Sequence, residues 1–235
     1  MIRTAPIQFT AVPDQWRSLL EALGMRVVVD EPGWTVMRAG GGVIAIHASE
    51  PDEARTELWF EASDPAAVGD QLAATGVPVS AYEPGDTTTL RRCDMPDGQL
   101  LGLSHWNAAE DGAGGPLQVL PLWMTPDVAA AASHLETLGA RPQLSSDDGG
   151  WVQLATDDGL VAAHAGDLST VLSFDWDGSI DALHTQLAAR GLTSRVIDEA
   201  YGRTLRIDHP DGAEELWVNE KQTDLHGYRD HTQAG

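Results

Sequence analysis

The stretch GWTVMRAGGGVIAIHA at 33–48 returns in outline as GWVQLATDDGLVAAHA at 150–165. Trp34 and Trp151 stand 117 positions apart, and so do His47 and His164. A repeat of that size means that one structural unit is built twice, so any fold for this chain has to divide into two similar halves. A finer repeat lies inside each half. Asp14, Asp64, Asp127 and Asp177 each open a segment of helical composition that closes at Gly24, Gly76, Gly139 and Gly191. Asp14 to Asp64 and Asp127 to Asp177 both span 50 positions, while Gly24 to Gly76 and Gly139 to Gly191 both span 52. In DQWRSLLEALG, the residues Trp16, Leu19, Leu20 and Leu23 share one helical stripe, with Asp14 placed as N-cap and Gly24 as C-cap. Runs after each helix, such as SRVIDEAYGRTLRIDHPDGAEELWV, read as three antiparallel strands with turn residues between them. The chain is therefore read as four β-α-β-β-β modules.

Composition narrows the partners. The 235 residues are 42% hydrophobic and 21% charged, as in an ordinary folded globular protein. A formal net charge of -22 argues against nucleic acid, because a phosphate backbone is bound by Lys and Arg surfaces. It favours neutral or cationic ligands, although surface acidity also serves simply to keep a protein dispersed. The opening MIRTAPIQFT lacks the basic and apolar regions of a secretory signal, and no apolar run approaches the roughly 18 residues of a membrane span. A cytoplasmic protein without a membrane partner is expected. Cys93 is the single cysteine, which excludes an internal disulfide and a Cys-rich metal site. Neither a GxSxG elbow nor a phosphate-cradling Gly loop occurs, and AGGG at 39–42 reads as a hairpin turn because no helix follows it.

A paired β-α-β-β-β module with helices running from Asp to Gly resembles the vicinal oxygen chelate superfamily of glyoxalases, ring-cleaving dioxygenases and bleomycin-resistance proteins. CDMPDGQLLGL at 93–103 and IDHPDGAEELW at 207–217 are similar to that family's DPDG turn before the last strand of a domain. The resemblance implies an α+β fold of two domains, each a U-shaped eight-stranded mixed sheet with helices on its convex side and ligand on its concave face. It sets a first domain at 1–107, a linker at 108–115, a second domain at 116–223 and a polar, frayed tail at 224–235.

Enzymes of that family hold a divalent metal with a side chain from the first and the last strand of each module, usually His and Glu. The resemblance carries those positions to Ile7 or Gln8 with Ala45, and to Glu57 with Gly102. In the second half it carries them to Leu120 with Ala162, and to Val171 with Leu216 or Glu215. One carboxylate, Glu57, cannot hold a catalytic metal, so no metal site is assigned and no cofactor is expected. Ligands drawn from both halves, or an unusual set built on His47, His105 and His164, remain an alternative.

A hairpin closed at 39–42 pairs residues whose numbers sum to 81, which sets Trp34 opposite His47. A loop at 156–159 pairs residues summing to 315, which sets Trp151 opposite His164. Directly opposed residues share a sheet face, so each Trp packs on its His. Alternation along the strand then aligns His47 with Ala45 and His164 with Ala162, and the resemblance puts those positions on the concave face. Each pair either lines a ligand pocket or fills a cavity left by a lost metal. Glu57 and Trp59 share one strand face and are candidates for the first pocket. Tyr201 and Arg203, at a loop-to-strand entry, are candidates for the second. Trp16 is expected in the core and His105 at a strand end.

The expected function is that of a metal-independent, glyoxalase/bleomycin-resistance-like protein rather than an enzyme. It would bind a small aromatic or cationic molecule, such as a drug, through Trp34, His47, Glu57, Trp59, Trp151, His164, Tyr201 and Arg203. The alternative is a lyase, isomerase or dioxygenase of the same superfamily, with a rearranged metal site or with His47 or His164 as general base. The two halves could imitate a dimer of single domains, so the chain is expected as a monomer or a homodimer.

Overall fold

The computed structural model describes residues 1–82, 90–107, 115–199 and 201–232. The expected linker at 108–115 falls, except for Gly115, outside the described residues. In the first half the elements run β1 (Ile2–Thr4), β2 (Ile7–Thr10), α1 (Pro13–Ala22), β3 (Arg26–Glu31), β4 (Trp34–Arg38) and β5 (Val43–Ala48). They continue with β6 (Arg55–Ala62), α2 (Pro65–Ala74), β7 (Val79–Tyr82), β8 (Leu90–Asp94) and β9 (Leu100–His105). The second half repeats the plan with β10 (Leu117–Val119), β11 (Leu122–Thr125), α3 (Val128–Leu138), β12 (Arg141–Ser146), β13 (Trp151–Ala155) and β14 (Leu160–Ala165). It ends with β15 (Ser169–Val171), β16 (Ser173–Trp176), α4 (Ile180–Ala189), β17 (Ser194–Glu199), β18 (Gly202–Ile207), β19 (Leu216–Glu220) and β20 (Tyr228–Asp230).

The first half forms one curved sheet in the order β3-β4-β5-β2-β6-β9-β8-β7, with β1 added on β6. Its centre is β6, whose start pairs with β2 and whose remainder pairs with β9, so two modules join through one strand. In the second half the equivalent strand is interrupted at the buried Leu172, which leaves β15 pairing with β11 and β16 pairing with β19. The second sheet is thereby divided into five-stranded and six-stranded parts.

Alternation along these strands assigns their two faces. Ile44 and Ile46 join the helix-packed core, whereas Val43 and Ala45 join a separate cluster on the concave side. The helices thus lie on the convex side of each sheet, as expected. Their packing, however, joins the halves. One core combines Trp16, Leu19 and Leu20 of α1 and Leu23 at its C-cap with Ile180, Leu183 and Leu187 of α4. The other combines Leu58, Phe60 and Leu72 of the first half with Trp123, Leu135 and Leu154 of the second. Neither half closes a main core alone.

The aspartates of the two PDG turns act across this junction. Asp211 accepts hydrogen bonds from Trp16 Nε1 at 2.7 Å and Thr10 Oγ1 at 2.5 Å, and Asp97 accepts from Trp123 Nε1 at 2.9 Å and Thr125 Oγ1 at 2.8 Å. Asp158, in the second half's hairpin, likewise receives the Gly42 amide at 2.9 Å and Arg38 at 3.0 Å. The hairpin tips come so close that a Cβ built on Gly159 would lie 3.1 Å from the Gly42 Cα. Glycine is required there for backbone approach, and AGGG is a docking hairpin.

Three local expectations need correction. Asp64 and Asp127 cap α2 and α3 by accepting from Ala67 and Ala130 amides at 3.0 Å, but Asp14 does not cap α1, because the helix starts at Pro13 with Val12 in the cap position, which puts Asp14 in its first turn. Ser179, not Asp177, caps α4, since Gly178 and Ser179 extend the approach; Asp177 bonds Lys221 at 2.9 Å instead. The tail at 224–235 is not simply frayed. Within it, β20 adds to the edge of β12, and His231 donates its amide to the Gln143 carbonyl at 2.8 Å.

Candidate functional site

Each concave face holds a cavity, and the hairpin registers place a Trp and a His in both. Trp34 pairs with His47 and Trp151 with His164, in the registers read from the two loops. The rings meet edge to face, with centroids 5.7 Å apart in the first pair and 5.4 Å in the second. This geometry matches the positive edge of one ring to the negative face of the other.

The first cavity, about 740 Å³, has an apolar floor of Ala5, Ile7, Val43 and Ala45 and is bordered by Trp34, His47, Glu57, Trp59 and His105. His47 also packs on Phe9 at 4.8 Å, and its Nδ1 is buried without a hydrogen-bond partner. The Arg55 guanidinium stacks on the outer Phe9 ring at 3.9 Å and bonds Glu57 Oε1 at 2.7–2.8 Å. Glu57 Oε2 takes the Trp59 indole N–H at 3.0 Å. Both oxygens of this carboxylate are therefore engaged. Gly102 is paired with Trp59 rather than Glu57, and a Cβ there would lie 2.1 Å from the indole, so the ring itself occupies the space beside Gly102.

The second cavity, about 300 Å³, is smaller. Leu120 and Leu122 form its floor, Trp151, Trp217 and Tyr201 its walls, and Leu225, Tyr228 and Thr232 of the tail cover it. His164 stands at the rim and donates Nδ1–H to the Ala165 carbonyl at 2.7 Å. Asp175, on β16, faces into this cavity beside Asn219 of the neighbouring β19. Burial pushes the Asp175 carboxyl up to about 6, and Asp177 adds to that shift; the Trp176 backbone N–H and the Lys221 charge oppose it. Among the described residues Asp175 forms no salt bridge, since Lys221 is bound to Asp177. Asn219 Oδ1 accepts from Thr204 Oγ1 at 3.0 Å, and the Thr204 hydroxyl lies 3.4 Å from Tyr201 OH. Burial also raises the Tyr201 phenol above its ordinary value.

The structure thus brings seven of the eight candidates to cavity walls: Trp34, His47, Glu57 and Trp59 to the first, and Trp151, His164 and Tyr201 to the second. Arg203 lies outside both. Strand alternation puts Thr204 and Arg206 of β18 on the concave side, so Arg203 turns outward to Asp181 of α4, with bonds of 2.7 and 2.8 Å. Two register expectations also shift. Ala162 pairs with Leu122 rather than Leu120. The last strand presents Trp217 and Asn219, because Leu216 belongs to the helix-packed core. Asp175 and Asn219 were missed in the sequence. A polar residue alternating with Phe174 and Trp176 looks the same whether it faces water or a cavity.

The fold family implies a divalent metal, and the positions that would ligate it can be tested. Ile7, Ala45 and Gly102 carry no donor side chain, and Glu57 is neutralised by Arg55. Leu122, Ala162, Val171 and Trp217 replace the set in the second half. Among the described residues no three His, Cys, Asp or Glu side chains converge on one point. His47 and His105 lie in one cavity and His164 in the other, so these three do not form a set either. The residues do not fit the metal, and no chemical step is assigned to one.

The architecture is that of the extradiol dioxygenases of the vicinal oxygen chelate superfamily. A catechol 2,3-dioxygenase aligns over 94% of this chain and 92% of its own, with a TM-score of 0.63 and 16% identity. Homoprotocatechuate 2,3-dioxygenase from Arthrobacter globiformis aligns over 95% of this chain and 80% of its own, with a TM-score of 0.62 and 15% identity. The Brevibacterium fuscum enzyme complexed with 3,4-dihydroxyphenylacetate gives the same values. No protein-family model matches the chain, and no curated protein matches it. The similarity establishes the fold. It also overturns the expected metal-independent, bleomycin-resistance-like drug binder, because the solved structures that share the fold are dioxygenases; the enzyme alternative agrees with them better. No helix among the described residues is long and apolar enough to cross a membrane.

Proposed function

We propose that the chain is an enzyme that moves a proton on a small organic molecule held in the second cavity, in the manner of an isomerase or lyase, with Asp175 as the proton-transfer group. The observation that carries this reading is a largely buried carboxyl without an ion pair among the described residues, set in the wall of a cavity floored by Leu120 and Leu122 and pushed up to about 6 by desolvation. A group that changes charge near neutral pH can both take and return a proton, and perturbed carboxyls in clefts are concentrated at functional sites. Trp151 and Trp217 supply a slot for a flat substrate, Tyr201 and Asn219 supply polar contacts, and the tail limits water. The fold of the neighbours supports an enzyme. The donor set of this chain favours acid–base chemistry in place of a metal-centred step.

The test is hydrogen–deuterium exchange into a panel of small carbon acids in D2O, comparing the protein with Asp175→Asn. The reading requires exchange above buffer for at least one compound and its loss in the variant. The rate should rise with pH through about 6, as the carboxylate base forms. His164, Tyr201, Glu220, Lys221, Tyr228 and Asp230 also face the cavity, and Asp177 lies near Asp175. Loss in Asp175→Asn therefore assigns the titration. Exchange that persists in the variant would refute it.

A further inference from the structure

We infer that the substrate is a small, neutral, planar carbonyl compound, enolised between Asp175 and the side-chain amide of Asn219. This rests on the acid–base reading of the second cavity and adds the chemistry that selects the substrate.

Asn219 is oriented by the strand next to it. Its Oδ1 receives the Thr204 hydroxyl at 3.0 Å, and Thr204 is in turn placed by Tyr201. With Oδ1 engaged, the Nδ2 hydrogens are left as donors, and no described residue accepts them. Because β16 and β19 pair with Asp175 opposite Asn219, this donor stands beside the proton-transfer group on the same wall. An oriented N–H beside a desolvated base is the pairing that enolisation needs, since negative charge develops on an oxygen as a proton leaves the adjacent carbon.

The step balances without a co-reactant. The Asp175 carboxylate takes the proton from the carbon next to the carbonyl. The C–H electron pair becomes the enol C=C bond, and the carbonyl π pair moves to oxygen, where Asn219 Nδ2–H holds it. If the Asp175 carboxyl swaps its proton for a solvent deuteron before giving it back to the same carbon, the product carries deuterium there, and return to a conjugated carbon gives a shifted double bond.

The lining sets the class. Asp175, Glu220 and Asp230 outnumber Lys221 around the cavity, and Lys221 is bound to Asp177, so an anionic substrate is disfavoured. A cation would pair with the Asp175 carboxylate and weaken it as a base. A volume of about 300 Å³ with Trp151 and Trp217 among its walls suits one or two fused rings.

The experiment uses 2-tetralone as carbon acid and 2-naphthol as the planar mimic of its enol. Wild-type protein should accelerate deuterium entry at the activated carbon, followed by NMR, by roughly 100-fold or more over buffer. Asp175→Asn should abolish the acceleration yet still bind 2-naphthol, read by tryptophan quenching. Asn219→Ala should lower exchange by about 100-fold and weaken 2-naphthol, while Thr204→Val, which frees the amide to rotate, should produce a smaller loss of rate. Circular dichroism of each variant checks folding. Binding of 2-naphthol without exchange of 2-tetralone overturns the carbonyl class but leaves the cavity as a ligand site. Absence of both overturns the site with it. Exchange unaffected by Asn219→Ala removes the amide from the mechanism.

Discussion

Replacing Asp175 with Asn should make the protein more stable at neutral pH while removing the proposed chemistry. The carboxyl ionises at 3.8 when unfolded and at about 6 when folded, so the native state holds its proton more tightly. For an acid shifted upward, stability is highest while both states are protonated. It is lost as pH rises from 3.8 through about 6, because the unfolded chain releases its proton first. Integrating that linkage gives a penalty of about 1.6 kcal/mol at pH 5 and about 3 kcal/mol at pH 8. Asn cannot ionise and carries no such penalty. The stability difference between Asp175→Asn and wild type should therefore grow by about 1.4 kcal/mol from pH 5 to pH 8. Asp175 is partly exposed to the cavity, which makes this figure an upper bound. Urea unfolding of both proteins at a series of pH values measures the difference directly, and the remaining titrating groups cancel in it. A difference that stays flat, or an Asn variant that is less stable at pH 8, would refute desolvation of Asp175 and with it the basis of the proposed function.

Asp211→Ala leaves Trp16 Nε1 and the Thr10 hydroxyl without their acceptor in a site where Asp211 is 8% exposed, and should cost about 2–5 kcal/mol in denaturant unfolding. A loss below 1 kcal/mol would show that the clamp between the halves is dispensable. Gly102→Ala drives a methyl into the Trp59 indole and should cost about 1–3 kcal/mol, most of it recovered in the double variant with Trp59→Ala; no recovery would mean that the indole does not fill that space. Ending the chain after Lys221 removes Leu225, Tyr228 and Thr232 from the second cavity. The Asp175 carboxyl should then titrate closer to 3.8, as followed by NMR, and an unmoved midpoint would show that the tail does not desolvate it.

Joining the halves through shared cores gives the chain a different energetic layout from two domains on a string. Trp16 is fully buried in a core that both halves build, with Leu19, Leu20 and Ile44 from the first and Phe174, Ile180 and Leu183 from the second, and its hydrogen-bond acceptor is Asp211. Burial of such a side chain contributes about 1.5–3 kcal/mol, and here that contribution exists only when both halves are folded together. The cavities lie on the opposite faces of the sheets, away from this junction. One half can accordingly carry a large cavity with the Trp59 indole filling the space beside Gly102 while the other carries a small one with a titrating carboxyl.

While the convex placement of the helices was what the family resemblance implied, the sequence by itself determined the four modules and the two Trp–His pairs. These follow from short-range rules: a period of 3.6 for the stripe of Trp16, Leu19, Leu20 and Leu23, a period of 2 along strands, and hairpin closures of a few residues that leave one register available. What the PDG aspartates do was not legible in this way. Asp97 and Asp211 read as turn residues, and only tertiary structure brings Asp211 to Trp16 across 195 positions. The same holds for Asp175, Asn219 and the tail strand that joins them around the second cavity, and for Arg203, which turns to Asp181 instead of the cavity. Whether a polar side chain on an alternating strand meets water, a cavity or a distant partner depends on which sheet bends over it. That curvature is set by contacts between residues far apart in the chain, and no local spacing encodes them.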